Sequence, residues 1–120
     1  MGVAHGAIGI IGCGVAGQAA ALFLHRTGHR VEMFERFESP RPIGAGLLLQ
    51  PTGLAVLDRL GLGDAALAHG AKVRRLLGHS RRGRVVLDVA YKHYRPDSFG
   101  LGFQRGALFG LLHDALSAER

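Results

Sequence analysis

The tightest constraint in this sequence is a six-residue stretch, Gly12-Cys13-Gly14-Val15-Ala16-Gly17, set between two apolar segments of different habit. Before it, Ala7-Ile8-Gly9-Ile10-Ile11 is a short β-branched run bounded by glycine, the pattern of a parallel strand covered on both faces. After it, Gln18 to Arg26 is rich in helix formers, and Gly28 supplies a C-terminal stop. Arg30 to Glu35 then reads as a second strand. The spacing predicts one βαβ unit of about 30 residues with a right-handed crossover, and so an α/β, Rossmann-like fold with parallel strands. The apolar run from Ala7 to Leu24, with Gln18 its only polar side chain, invites a reading as a spanning helix or a leader. Four glycines inside it argue otherwise, because each weakens a helix by about 1 kcal/mol relative to alanine. No Lys or Arg precedes the run to form a basic leader region.

A lone GxGxxG is weak evidence, but this one follows a predicted strand, opens a predicted helix, and is answered by an acidic residue, Glu35, 18 positions beyond Gly17. That combination points to a dinucleotide. Gly12 permits the tight turn, Gly14 lets the backbone approach a pyrophosphate, and Gly17 lets helix and strand pack closely. The helix N-terminus, through Val15 and Ala16, offers free N–H groups and a partial positive charge to phosphate. Glu35 is placed to accept hydrogen bonds from both hydroxyls of an adenosine ribose. Its carboxylate would repel a 2′-phosphate, which disfavours NADP at this site. These residues alone do not separate NAD from FAD.

At 120 residues the chain has the length of one domain, and 48% hydrophobic with 20% charged residues is ordinary for a globular protein. Its 19 glycines are about double the usual share and follow no three-residue period. Beyond the first unit, a loop with two prolines, Arg36 to Gly46, leads to the apolar run Leu47-Leu48-Leu49. Pro51 to Leu60 reads as a helix with Leu54, Leu57 and Leu60 on one face and Gly61 closing it. Asp64 to His69 reads as a short helix. Val73 to Leu77 and Arg84 to Val89 flank Gly78 to Gly83 as a β-hairpin. Tyr91 to Gly102 reads as irregular, and Leu108, Leu111, Leu112 and Leu116 mark the stripe of a last helix.

The segment VEMFERFESPRPIGAGLLLQPTGLAVLDRLGLGDA resembles the N-terminal part of the class A flavoprotein monooxygenases, the FAD-dependent aromatic hydroxylases. In that family the acidic residue ending the second strand is followed by a basic one, as Glu35 is by Arg36. A loop of the form RxxGAGxxLxP, matched by Arg41, Gly44, Ala45, Gly46, Leu49 and Pro51, brings backbone close to the flavin. A helix of RxxLxxxL spacing, matched by Arg105, Leu108 and Leu112, carries an Arg to the FAD phosphate and ribose region. Gln104 departs from the His or Asn usual before that Arg.

The resemblance implies FAD as cofactor, NAD(P)H as electron donor, and O2-dependent hydroxylation of an electron-rich aromatic substrate, with the hard chemistry carried by the cofactor. It also implies that residues 1–120 are the N-terminal part of an FAD/NAD(P)-binding domain, with no second domain, and thus an incomplete fold. Such a piece would lack the later GD motif and most of a substrate domain, and would be inactive by itself. The competing readings are a non-catalytic dinucleotide-binding module and an NAD-dependent Rossmann dehydrogenase. The GAGLLLQP loop and the Arg105 helix have no role in the latter.

Other candidates are weaker. A single cysteine, Cys13, cannot form an intrachain disulfide and fits a reducing cytoplasm. His25 and His29 stand four apart but Gly28 ends the helix between them, so no metal site is expected. His93, between Tyr91 and Tyr94, reads as part of a solvated loop rather than a substrate cavity. The acid-free basic stretch Lys72, Arg74, Arg75, Arg81, Arg82 and Arg84 has no interleaved aromatic residue to stack bases, so no nucleic-acid partner is expected. No catalytic acid, base or nucleophile stands out. If the two parallel strands have no outer neighbours, their edges invite self-association.

Overall fold

The segments on either side of the turn and its helix form strands through β-branched and aromatic residues, Ile8, Ile10 and Ile11 in the first and Val31 and Phe34 in the second. In the computed structural model, which describes residues 6–39 and 44–119, β1 (Ile8–Ile11) pairs in parallel with β2 (Val31–Phe34), Ile8 opposite Val31 and Ile11 opposite Phe34. Helix α1 (Val15–Arg26) makes the crossover between them and ends at Thr27 and Gly28. The described residues divide into two compact units. The first comprises the chain up to Ala45 together with Arg105 onward, and the second runs from Gly46 to Gln104.

In the first unit α1 packs on the last helix, α4 (Arg105–Ala118). Leu22, Leu108 and Leu112 are fully buried there, and Arg26 of α1 ion-pairs with Glu119 at 2.7 Å. The buried set of α4 is Leu108, Phe109, Leu112 and Leu116, so Phe109 stands where the sequence pattern put Leu111. Truncating Leu112 to Ala removes a side chain with no exposed surface. The expected cost is about 2–5 kcal/mol of unfolding free energy, read from urea unfolding. The two strands depart from the expectation of cover on both faces. Their burial alternates, and Ile11 at 92% and Phe34 at 56% exposure lie on the uncovered positions.

The second unit is built on an antiparallel sheet in the order β3 (Gly46–Leu49), β7 (Gly100–Gln104), β4 (Ala71–Val73). Helices α2 (Pro51–Arg59) and α3 (Gly63–His69) accompany it, with Leu57, Leu60, Ala66, Leu101 and Phe103 buried. The central strand β7 begins inside Tyr91 to Gly102, the stretch whose sequence reads as irregular. Two glycines, Gly100 and Gly102, hide its pattern, and Gly100 is small because the Tyr91 ring packs against it. A second correction concerns the hairpin, whose strands are β5 (Arg75–His79) and β6 (Val85–Ala90). Val73 belongs to β4 instead, because the chain changes sheet at Arg74, whose carbonyl accepts the Tyr91 N–H at 3.0 Å. The Arg75 guanidinium holds the Asp88 carboxylate in two bonds of 2.8 Å across the hairpin, lowering the Asp88 pKa and raising its own.

Candidate cofactor-binding site

The turn between β1 and α1 is shaped by two glycines for two different reasons. Gly12 has φ +98°, a conformation L side chains rarely adopt. Gly17 stands in the first turn of α1, where an added Cβ would run into the Gly12 carbonyl oxygen. Gly14 is the helix N-cap, makes no side-chain cap, and a Cβ on it would meet nothing within 4 Å. Val15 and Ala16 follow as the first helical residues, with no acidic side chain in that turn. The helix therefore presents backbone donors and its positive dipole end past a residue that carries no side chain.

Glu35, just beyond β2, closes this turn from the opposite side. Its Oε2 accepts the Cys13 N–H at 2.8 Å and its Oε1 accepts the Phe37 N–H at 3.3 Å. The Cys13 bond, then that from Phe37, holds the carboxyl below its ordinary value near 4.5, against a smaller opposing effect of desolvation. Arg36 adds to the lowering and lays its guanidinium 4.9 Å from the Phe37 ring centre. Because the folded-state pKa is depressed, the stabilisation by this carboxylate is complete above pH 4.5 and is lost as pH falls through the lower folded value. Glu35→Gln should flatten that part of an acid-unfolding profile, leaving the slope contributed by Asp88. The same variant should weaken binding of an adenosine ribose about tenfold, read by titration with FAD, through the loss of charge-assisted acceptors.

A second cluster in the same unit joins two segments sixty residues apart in sequence. The Arg105 N–H donates to the Ala45 carbonyl at 3.1 Å, and a Cβ on Gly44, whose φ is +110°, would lie 2.6 Å from Arg105 Nη1. Arg105 is thus the first residue of α4, with its guanidinium laid against a glycine whose φ of +110° would strain any side chain. Gly46 starts β3 in the other unit, and Arg41 lies outside the described residues.

Gln18 adds a contact to this turn that no motif marks. It has no exposed surface, its Nε2 donates to the Cys13 carbonyl at 3.1 Å, and its Oε1 has no partner among the described residues. The available signal was its place as the one polar side chain in the run from Ala7 to Leu24. Elsewhere, His93 and Tyr94 are exposed on an open cleft of about 620 Å3 in the second unit, where Tyr91 Oη donates to Gln50 Oε1 at 2.9 Å. Among the described residues no group of three or more His, Cys, Asp or Glu is placed to hold a metal.

A positive-φ turn, an uncapped helix end and a carboxylate at the tip of the next strand together fit a dinucleotide. Residues 6–104 match the FAD binding domain family. The chain belongs to that family. It is 40% identical over 83 residues to kynurenine 3-monooxygenase from Salinispora arenicola, covering 63% of this chain and 18% of that protein. It is 29% identical over 113 residues to 6-hydroxynicotinate 3-monooxygenase from Pseudomonas fluorescens, covering 91% of this chain and 29% of that one. The tetrameric form of 2-methyl-3-hydroxypyridine-5-carboxylic acid oxygenase shares its fold, with a TM-score of 0.81 at 24% identity over 98% of this chain and 30% of that chain. This member of the FAD binding domain family therefore spans less than a third of each of these relatives.

Proposed function

We propose that this chain is the FAD-binding N-terminal portion of a flavin-dependent monooxygenase that hydroxylates a small aromatic substrate with NAD(P)H and O2. The observation that carries the reading is the turn closed by Glu35 on the Cys13 N–H, in a chain of the FAD binding domain family. Relatives named as monooxygenases of kynurenine and 6-hydroxynicotinate support the reaction class. Both compact units belong, in this reading, to one FAD/NAD(P)-binding domain. Its single cysteine fits a reducing cytoplasm, where we place the protein. No helix among the described residues is long and apolar enough to cross a membrane.

The bound flavin would supply oxygen activation and transfer. This chain's residues do the holding. Gly12, Gly14 and Gly17 shape a backbone cradle, and the N–H groups at Val15 and Ala16 face the pyrophosphate. Glu35 takes the ribose hydroxyls, with Arg36 beside it. Gly44, Ala45 and Gly46 bring backbone toward the ring system, with Arg41 at the head of that loop, and Arg105 neutralises phosphate charge. None of these groups attacks substrate, in keeping with chemistry carried by the cofactor, and we take the 120 residues to bind FAD without turning over by themselves.

Titration of the chain with FAD, followed by flavin absorbance and fluorescence, tests this reading. Binding of FAD in preference to NAD+, with no consumption of NADH or NADPH by the FAD-supplemented chain, is the expected result. Tighter binding of NAD+ than of FAD would favour a dehydrogenase and overturn it.

A further inference from the structure

Gln18 poses a problem that packing does not solve. A side chain with no exposed surface, in a helix whose other buried residues are Ala21 and Leu22, leaves its Oε1 without a partner among the described residues. Buried acceptors of that kind are uncommon and call for an explanation beyond stability. A leucine or methionine would fill the same space without stranding a polar atom.

The explanation lies in what its other terminal atom holds. Cys13 is the one residue with a side chain between Gly12 and Gly14, the two most pliable positions of the turn. Its peptide groups are gripped from both sides. The Cys13 N–H is held by Glu35 Oε2 at 2.8 Å, and its carbonyl by Gln18 Nε2 at 3.1 Å. Turning the Cys13–Gly14 peptide would swing the Gly14 N–H away from the helix end, and the Gln18 amide opposes that rotation. We infer that Gln18 is a positioning residue for phosphate recognition: it locks the Cys13–Gly14 peptide so that the turn meets a pyrophosphate already in its binding geometry.

This inference rests on the flavin reading above and deepens it. A pre-set loop gains affinity by avoiding the ordering cost on binding. Loss of the lock should thus show in the phosphate part of the ligand and not in the ribose part. Gln18→Met keeps the volume and removes the amide.

In titrations of the whole chain followed by NMR, Gln18→Met should weaken ADP and FAD about tenfold, the scale seen when a supporting residue is lost elsewhere. Adenosine, which lacks phosphate, should bind as it does to the wild type. The melting temperature should change little, because removal of the stranded Oε1 offsets the Cys13 carbonyl's loss of its donor. A residue that merely supports the fold would lower the melting temperature and weaken ADP and adenosine alike. Gln18→Leu provides the second variant. Unchanged ADP affinity in a folded Met or Leu variant overturns the inference, and so does failure of both variants to fold, which would assign Gln18 to the core. A wild-type chain that binds neither FAD nor ADP overturns the flavin reading itself, and the role of Gln18 falls with it.

Discussion

Gly17→Val is expected to abolish useful FAD binding, lowering affinity about a hundredfold, the scale of a displacement near 1 Å in a positioned group. The cause is local and severe. A Cβ at this position would collide with the Gly12 carbonyl oxygen, a backbone atom that has no rotamer by which to move aside. Relief requires that α1 lift away from β1 or that the turn open, and either change spoils the cradle. Overpacking of this kind also destabilises, by about 1–3 kcal/mol. Gly14→Ala is the matched control. With φ −80° and open space around the added Cβ, alanine fits the fold, so its melting temperature should equal that of the wild type. Its affinity should still fall, because the methyl group stands where the pyrophosphate must come. Wild-type affinity in Gly17→Val would show that the ligand does not use this turn.

The second large effect concerns association. Among the described residues β1 and β2 pair only with each other, and β5 and β6 likewise, so both sheets present unpaired strand edges. On β6 the side chains of Val85, Val86, Leu87 and Val89 are all exposed, Val86 at 68%. Edges of this apolar character recruit further strands, and the one charge on β6, Asp88, is already engaged by Arg75 of the same hairpin. We therefore expect the chain to sediment as concentration-dependent oligomers. Association should strengthen with salt, as the net charge of +6 that opposes it is screened. Val86→Lys should shift the population to monomer, with a stability change within about 0.5 kcal/mol, as befits an exposed site. A wild-type chain that stays monomeric at high salt and high concentration would refute the argument from edges.

The parts of this molecule that were legible in its sequence are those whose cause is local. The strand, turn, helix and second strand of the first unit follow from glycine placement and from residues within one turn of each other. So do α2 and α3, each fixed by its own apolar spacing and its Pro or Gly punctuation. Strand β7 was not legible, although it is the centre of a sheet. Gly100 and Gly102 carry no strand signal, and the segment is extended because β3 and β4 lie on either side of it. Propensity has no access to pairing of that range. The approach of Arg105 to Gly44 was not legible either, since nothing local links positions so far apart. The clamp by Gln18 escaped notice for a different reason: its partner is a backbone carbonyl, and only the folded turn decides where that carbonyl points.

The order of the elements along the chain bears on how the protein is made. The first unit is split: α1 is near its start, while α4, which covers Leu22 with Leu108 and Leu112, begins only at Arg105. The 59 residues of Gly46–Gln104 are translated in between. At a synthesis rate of about 5–20 residues per second, α1 waits on the ribosome for roughly 3–12 seconds before its partner helix exists. Within that interval the second unit can form its helices and its β5–β6 hairpin, and its three-stranded sheet closes when β7, the last of its strands to be translated, arrives. Its own sheet register, with Gly46 opposite Gln104, then brings the ends of the excursion side by side. Vectorial synthesis thus makes the inserted unit a folding aid to the interrupted one, shortening the effective loop that the α1 and α4 encounter must close.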